Sequence, residues 1–182
     1  VRKIWFISDY HLNHIGALNF RTQYSSVEEM NEGIIKTHNF WVHPRDTVYH
    51  IGDFIWKGKP QSFLERLNGT FYIIKGNHDR KIDFTIKHKV AHVVDGYYNI
   101  KIDKQDITLC HFPMISWNRS HFNSWHLYGH HHTSLPPQKA DEGKKFNVNF
   151  DVVHRPLEFE EINVLMNQRG DNWDFINKRK EE

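Results

Sequence analysis

Five times along this chain a short apolar run, rich in β-branched and aromatic residues, ends at or beside a small cluster of metal-ligating side chains. The clusters are Ser8-Asp9-Tyr10-His11, Gly52-Asp53, Gly76-Asn77-His78-Asp79, Cys110-His111 and Gly129-His130-His131-His132. Runs of this length and composition read as buried strands. Loops at strand ends are where α/β proteins place their sites. The glycines ahead of Asp53, Asn77 and His130 are expected to permit sharp turns just past each strand.

The elements around these clusters follow from periodicity and caps. Residues 3–8 read as the first strand. A helix opens at Ser25 or Ser26, where Ser25 with Glu28, or Ser26 with Glu29, fits the capping-box spacing, and Val27, Met30, Ile34, Ile35 and His38 recur along one face. Strands are expected at 46–51 and 71–75, a short helix at 60–67 and a helical turn or two at 79–87. Residues 90–102 and 107–111 read as strands joined by a hairpin turn near Asp103. Further short strands are expected at 127–128 and 146–153, and a helix at 156–168. Residues 134–143 read as a loop and 178–182 as a solvated tail. Strands and helices alternate in the first half and strands dominate the second, so the expectation is one α/β domain over residues 1–182.

Composition narrows the class. Hydrophobic residues make up 38% and charged residues 25%, as in soluble globular chains. The formal net charge of +2 is too small to argue for nucleic acid or an acidic membrane. No apolar run approaches the roughly 20 residues that span a bilayer, and the apolar stretch after Val1-Arg2-Lys3 is too short for a signal-peptide core. The single cysteine, Cys110, fits a reducing compartment, so a cytoplasmic location is expected. The 15 histidines are spread through the chain, several beside Asp, Asn or Gly.

Taken one at a time, each cluster has an ordinary reading. An Asp-x-His pair or a Gly-Asp step suits a turn, Asn in Gly-Asn-His-Asp suits turn chemistry, and three histidines in a row can form a surface tract. Their occurrence together, each at a strand, argues for metal. Carboxylate, amide and imidazole ligands suit divalent manganese, iron, zinc, nickel or cobalt.

The ordered set from Asp9 to His132 resembles the calcineurin-like metallophosphoesterase superfamily. The stretches Phe6-Ile7-Ser8-Asp9-Tyr10-His11-Leu12-Asn13-His14, Asp46-Thr47-Val48-Tyr49-His50-Ile51-Gly52-Asp53-Phe54 and Leu127-Tyr128-Gly129-His130-His131-His132 resemble its small bacterial and phage members, as does Asn147-Val148-Asn149-Phe150-Asp151-Val152-Val153. The resemblance implies an αββα sandwich: two packed mixed β-sheets flanked by helices, with the site at the strand ends. It implies that Asp9, His11 and His132 bind one divalent metal, and that Asn77, His111 and His130 bind a second. Asp53 would bridge them, and His78 would stand beside the substrate without binding metal. A metal pair clamps an in-line displacement at phosphorus, a bridging hydroxide attacks, and His78 can protonate the leaving oxygen.

The protein phosphatases of this superfamily carry Asp and Arg where this chain has Trp56 and Lys57, and Glu where it has Asp79, so a protein phosphatase is not expected. The expected activity is a phosphodiesterase acting on a small or nucleotide-like, including cyclic, phosphate ester. A small-substrate phosphomonoesterase is the alternative, and a non-catalytic interaction module of the same fold is a third reading. His14 could reach the site from its loop or stand as a surface histidine. Arg21 and Arg119 could contact a phosphate or be solvated. Trp56, Trp117, Phe122 and Trp125 flank the clusters and could stack on a base, although aromatics are more often core.

Overall fold

The computed structural model describes residues 1–85, 88–133 and 143–176. Two sheets hold the chain together. The first has the order β4-β3-β2-β1-β9, built from β1 (Ile4–Ile7), β2 (Thr47–Ile51), β3 (Thr70–Lys75), β4 (Val90–Asp95) and β9 (Leu157–Glu158). Strands β1 to β4 run parallel and β9 is antiparallel to β1. The second has the order β5-β6-β7-β8, built from β5 (Tyr97–Ile102), β6 (Gln105–Cys110), β7 (Trp125–Tyr128) and β8 (Lys145–Asn147). An antiparallel hairpin, β5–β6, is followed by two parallel pairings.

Alternation along the strands makes two cores, because successive side chains point to opposite faces. Trp5, Ile7, Val48, Phe71 and Ile73 face α1 (Val27–Trp41) and α2 (Gln61–Leu64), meeting Met30, Ile34, Phe63 and Leu64. Phe6, Ile51 and Ile74 face the other way and meet Ile107, Leu109, Trp125 and Leu127 of the second sheet. Ile162 and Met166 of α4 (Phe159–Asn167) complete that inner core. On the far face of the second sheet the segment around Trp117 covers His126: the rings lie 5.3 Å apart, and His126 Nε2 accepts from Met114 N at 3.1 Å. No described helix is long and apolar enough to cross a membrane.

Helix α1 starts at Ser26, whose hydroxyl accepts from Glu29 N, while Glu29 takes the Ser25 N–H and hydroxyl. Four expectations need correction. The run 90–102 is two strands, not one: Gly96 turns at φ 94, and β4 and β5 then join different sheets. The run 146–153 is strand only to Asn147; Asn149 caps a short helix, α3 (Phe150–Val153), by accepting from Asp151 N. The helix expected from 156 starts at Phe159, because Leu157 and Glu158 first pair with Phe6 and Trp5. Residues 79–85 form no helix: the chain turns at Arg80 and Lys81 and runs on without regular structure, and 86–87 lie outside the described residues. The expected tail 178–182, and the expected loop up to 142, also lie outside them.

Candidate metal centre

The parallel order β3-β2-β1 puts the C-terminal ends of three strands side by side, and β6 and β7 deliver theirs from the second sheet. Ser8 pairs with Asn149 in a parallel bridge, which stitches the two sheets together at this edge. The loops leaving these ends carry the five clusters. Asp9, His11, Asp53 and His130 all sit at positive φ, between 49° and 70°. Left-handed backbone is costly for residues with a side chain and persists where surroundings impose it. Here hydrogen bonds impose it: Asp9 N donates to Gly52 O, His11 N to Asp53 O, and His130 N to the Asp9 carboxylate.

The glycines act in two ways. Gly52 turns at φ 88, as expected from its place after a strand. Gly76 and Gly129 serve close approach instead. A Cβ on Gly76 would strike the Asp53 carboxylate, and one on Gly129 would strike Asp9 and Ser8.

The result is two adjoining groups of donors. Asp9, His11 and His132 bring their ligand atoms within 4.8 Å of one another, and so do Asp53, His111 and His130. Asn77 Oδ1 joins the second group, 3.1 Å from His111 Nε2. Asp53 touches both, with Oδ2 at 3.6 Å from His11 Nε2 and 3.2 Å from His111 Nε2. Asp9, His11, Asp53 and His111 are 3% exposed or less.

Protonation decides what this geometry means. His111 Nδ1 lies 3.0 Å from the Ile51 carbonyl, which can only accept, so Nδ1 carries a proton and Nε2 of the neutral ring is bare. That bare nitrogen faces Asp53 Oδ2, a second acceptor. His132 Nδ1 donates to Asp151 Oδ2 at 2.7 Å, so its Nε2 is bare too, facing His11 Nε2 at 3.2 Å and Asp9 Oδ1 at 3.7 Å. Asp9 Oδ1 is buried with no hydrogen-bond partner among the described residues. Lone pairs converging without donors, in a buried place, are costly unless a cation stands between them. The donor set therefore fits divalent metal. A proton can stand in for that cation: burial works against it, but Asp53 and Asp9 raise the His111 imidazole above its ordinary range, and the protonated ring, with the His78 N–H, then holds the Asp53 carboxyl at about 2 against its own burial.

Other residues surround the donors. His78 N donates to Asp53 Oδ1 at 3.0 Å, and its Nε2 lies 3.8 Å from Asp53 Oδ2 with the side chain one-third exposed. Asp79, fully buried, accepts from Gly76 N, Phe54 N and Ile55 N, and so staples the loop after β3 to the loop after β2. His14 lies flat on Trp56, with ring centroids 3.9 Å apart and planes 8° from parallel, and Trp56 also leans on His78 at 4.4 Å. Burial pushes the His14 imidazole down to about 4, so it is neutral near pH 7.

Arg21 is not solvated and does not face a phosphate. It is 1% exposed, clamps Asp151 through Nε and Nη2, and donates to the carbonyls of Asp9 and Tyr10. Arg119 pairs with Asp106, at the opposite end of β6 from His111 and so roughly 16 Å along the strand. Trp117 and Trp125 are buried, and Phe122 lies against Arg119. The half-exposed aromatics that do reach the centre are Trp56, Phe20 against His132 at 5.0 Å, and Phe112 against His130 at 4.8 Å. Sequence reasoning missed Asp151, Phe20 and Phe112. Asp151 stands 130 residues from Arg21, and no local pattern joins them.

The profile of the calcineurin-like phosphoesterase family matches residues 2–180. The uncharacterized protein MJ1445 of Methanocaldococcus jannaschii is 34% identical over 175 residues, covering 91% of this chain and 92% of that protein. The crystal structure of AQ665, a protein of unknown function from Aquifex aeolicus, superposes with a TM-score of 0.68 at 23% identity, covering 91% of this chain and 100% of that one. With the family profile spanning nearly the whole sequence, this chain belongs to the calcineurin-like phosphoesterases.

Proposed function

We propose that this chain hydrolyses small phosphodiesters, nucleotide-derived or cyclic, using two divalent metals, manganese foremost. In this reading Asp9, His11 and His132 hold one ion, Asn77, His111 and His130 hold the other, and Asp53 joins them. The observation that carries it is the convergence of ring nitrogens on two buried carboxylates, one of whose oxygens, Asp9 Oδ1, has no donor among the described residues. Metals so held would supply Lewis acidity and charge neutralisation at phosphorus.

The chain's own residues do the rest. Asp53 stays ionised across the working range, since a neighbouring cation, like the His78 N–H that it accepts, favours the charged carboxylate. His78 is held by its own N–H on Asp53, with its ring at the mouth, where it can protonate a leaving alkoxide. Asp79 fixes the spacing of the loops that present Asp53 and Asn77. Diesters are favoured because a dianionic monoester gains most from a bidentate arginine, and both arginines considered for that task are engaged elsewhere. The aromatic rim of Phe20, Trp56 and Phe112 suits a substituent on either side of phosphorus. The lone, buried Cys110 is in keeping with a cytoplasmic setting.

The test is kcat/KM for bis(p-nitrophenyl) phosphate against p-nitrophenyl phosphate, with each candidate metal at one pH. Faster diester cleavage is expected. A clear preference for the monoester would make the chain a phosphomonoesterase. No hydrolysis of either ester with any metal would leave the interaction-module reading.

A further inference from the structure

With Arg21 and Arg119 both engaged, a third arginine, Arg80, comes forward. It follows directly on Gly76-Asn77-His78-Asp79, and its side chain is exposed. Among the described residues it meets no carboxylate within ion-pair distance. Arg80 lines a cleft of about 420 Å³ together with Lys75, Gly76, Asn77, Asp95, Gly96, Cys110 and Phe112. The cleft opens where the two sheets part: β3 ends at Lys75, β4 at Asp95, and the chain crosses at Gly96 into the second sheet. It is contiguous with the metal centre, because Asn77 belongs to both and Phe112 packs on His111 and His130.

Three features of this cleft suit an anion. The first is rigidity: Asp79, immediately before Arg80, is buried and accepts from three backbone N–H groups, so Arg80 leaves a fixed stem. The second is charge. Lys75 lines the same wall, and its nearest acid, Asp95, is 81% exposed and 3.9 Å away, a pair held loosely enough for another anion to compete. The third is room, since a Cβ built on Gly96 would meet nothing within 4 Å. A guanidinium that meets no carboxylate among the described residues presents a planar fork that matches phosphate oxygens two at a time.

We infer that Arg80, with Lys75 beside it, binds a second phosphoryl group of the substrate, attached a few bonds away from the ester that is cut. This rests on the phosphoesterase reading for the word substrate, but the anion site itself does not need it. The substrate class becomes a phosphodiester that carries a further terminal phosphate, such as a nucleotide fragment phosphorylated at its other hydroxyl.

Two measurements test it. In the first, metal-free protein is titrated with inorganic phosphate while the Arg80 Nε–H and the Gly76 and Gly96 amides are followed by NMR. These signals should move together, and Arg80→Gln should weaken binding by about tenfold or more, the size expected for losing a charged hydrogen-bond pair. In the second, the metal-loaded enzyme cleaves thymidine 5′-(p-nitrophenyl phosphate) with and without a 3′-phosphate. The wild type should prefer the 3′-phosphorylated ester by about tenfold, and Arg80→Gln should erase that preference.

Phosphate binding that is absent, or equal in wild type and Arg80→Gln, would overturn the inference. So would an equal loss on both esters, which would assign Arg80 to the reacting phosphoryl group. If metal-free protein does not hold its fold, the ester pair decides alone. If neither ester is cleaved while phosphate binding depends on Arg80, the anion site stands and the phosphoesterase reading falls.

Discussion

His132 and His111 occupy opposite halves of the candidate metal centre, and as a neutral ring each turns its Nε2 toward it, yet what fixes them differs. His132 leans on Asp151, which is clamped by the buried Arg21, whose remaining donors hold the Asp9 and Tyr10 carbonyls. His111 leans on a main-chain carbonyl, Ile51 O, at the end of the strand that also delivers Asp53. One half is oriented by a relay of charged side chains, the other by a single main-chain carbonyl two residues before the shared Asp53. The first should therefore respond to single side-chain changes outside the ligand set, and the second should not.

The largest effect is expected where the halves meet. Asp53→Ala should lose both ions and all measurable turnover, since Asp53 touches ligands of each group. Metal analysis after manganese reloading reads this directly, and full two-ion occupancy in the variant would break the account of a shared carboxylate. His78→Ala should keep both ions yet lose about 10²–10⁴-fold in turnover of esters with alkoxide leaving groups. The loss should shrink with nitrophenolate, which leaves without a proton. An equal loss for both leaving groups would argue against a proton-donor role.

Asp151→Asn tests the asymmetry itself. It should weaken the ion at Asp9, His11 and His132 by about 10–100-fold, the usual cost of removing an outer partner of a ligating histidine. The second ion should hold. Because it uncouples a buried arginine, it should also cost about 3–5 kcal/mol of stability, read as a lowered Tm. Equal weakening of both ions would dissolve the distinction between the halves. The smallest effect is expected at Trp56, which supports the His78 ring from outside both groups. Trp56→Ala should lower kcat by about two- to tenfold with metals intact, the size of an aromatic contact, and Trp56→Phe should restore most of it. A change in metal content instead would place Trp56 in the ligand scaffold.

The same asymmetry governs what could be read from the sequence. Buried parallel strands leave continuous apolar runs, so β1, β2 and β3 stood out, and the ligand-type residues stood at their ends. The geometry around them was less legible. Asp151 lies within a stretch that resembles the family, but its bonds to Arg21 and His132 cross 130 and 19 residues. Arg21 has the same composition signal as any surface arginine, and only packing shows its fork filled. Gly96 hid the boundary between β4 and β5, because a strand that changes sheets keeps its β-rich composition on both sides of the turn. Leu157 fits a helical face with Ile162, Leu165 and Met166 by spacing, and its pairing with β1, together with that of Glu158, is a tertiary choice that periodicity cannot register. Gly76 and Gly129 were visible as turn residues, but their reason is the carboxylate each would strike, which only the assembled site reveals.

The central claim is that bare imidazoles and buried carboxylates at these strand ends exist to hold two cations. Anomalous diffraction from crystals of manganese-reloaded protein tests it most directly. The account predicts two peaks per chain, one among Asp9, His11 and His132 and one among Asn77, His111 and His130, with Asp53 between them. A single peak, or manganese bound only away from these residues, would contradict it.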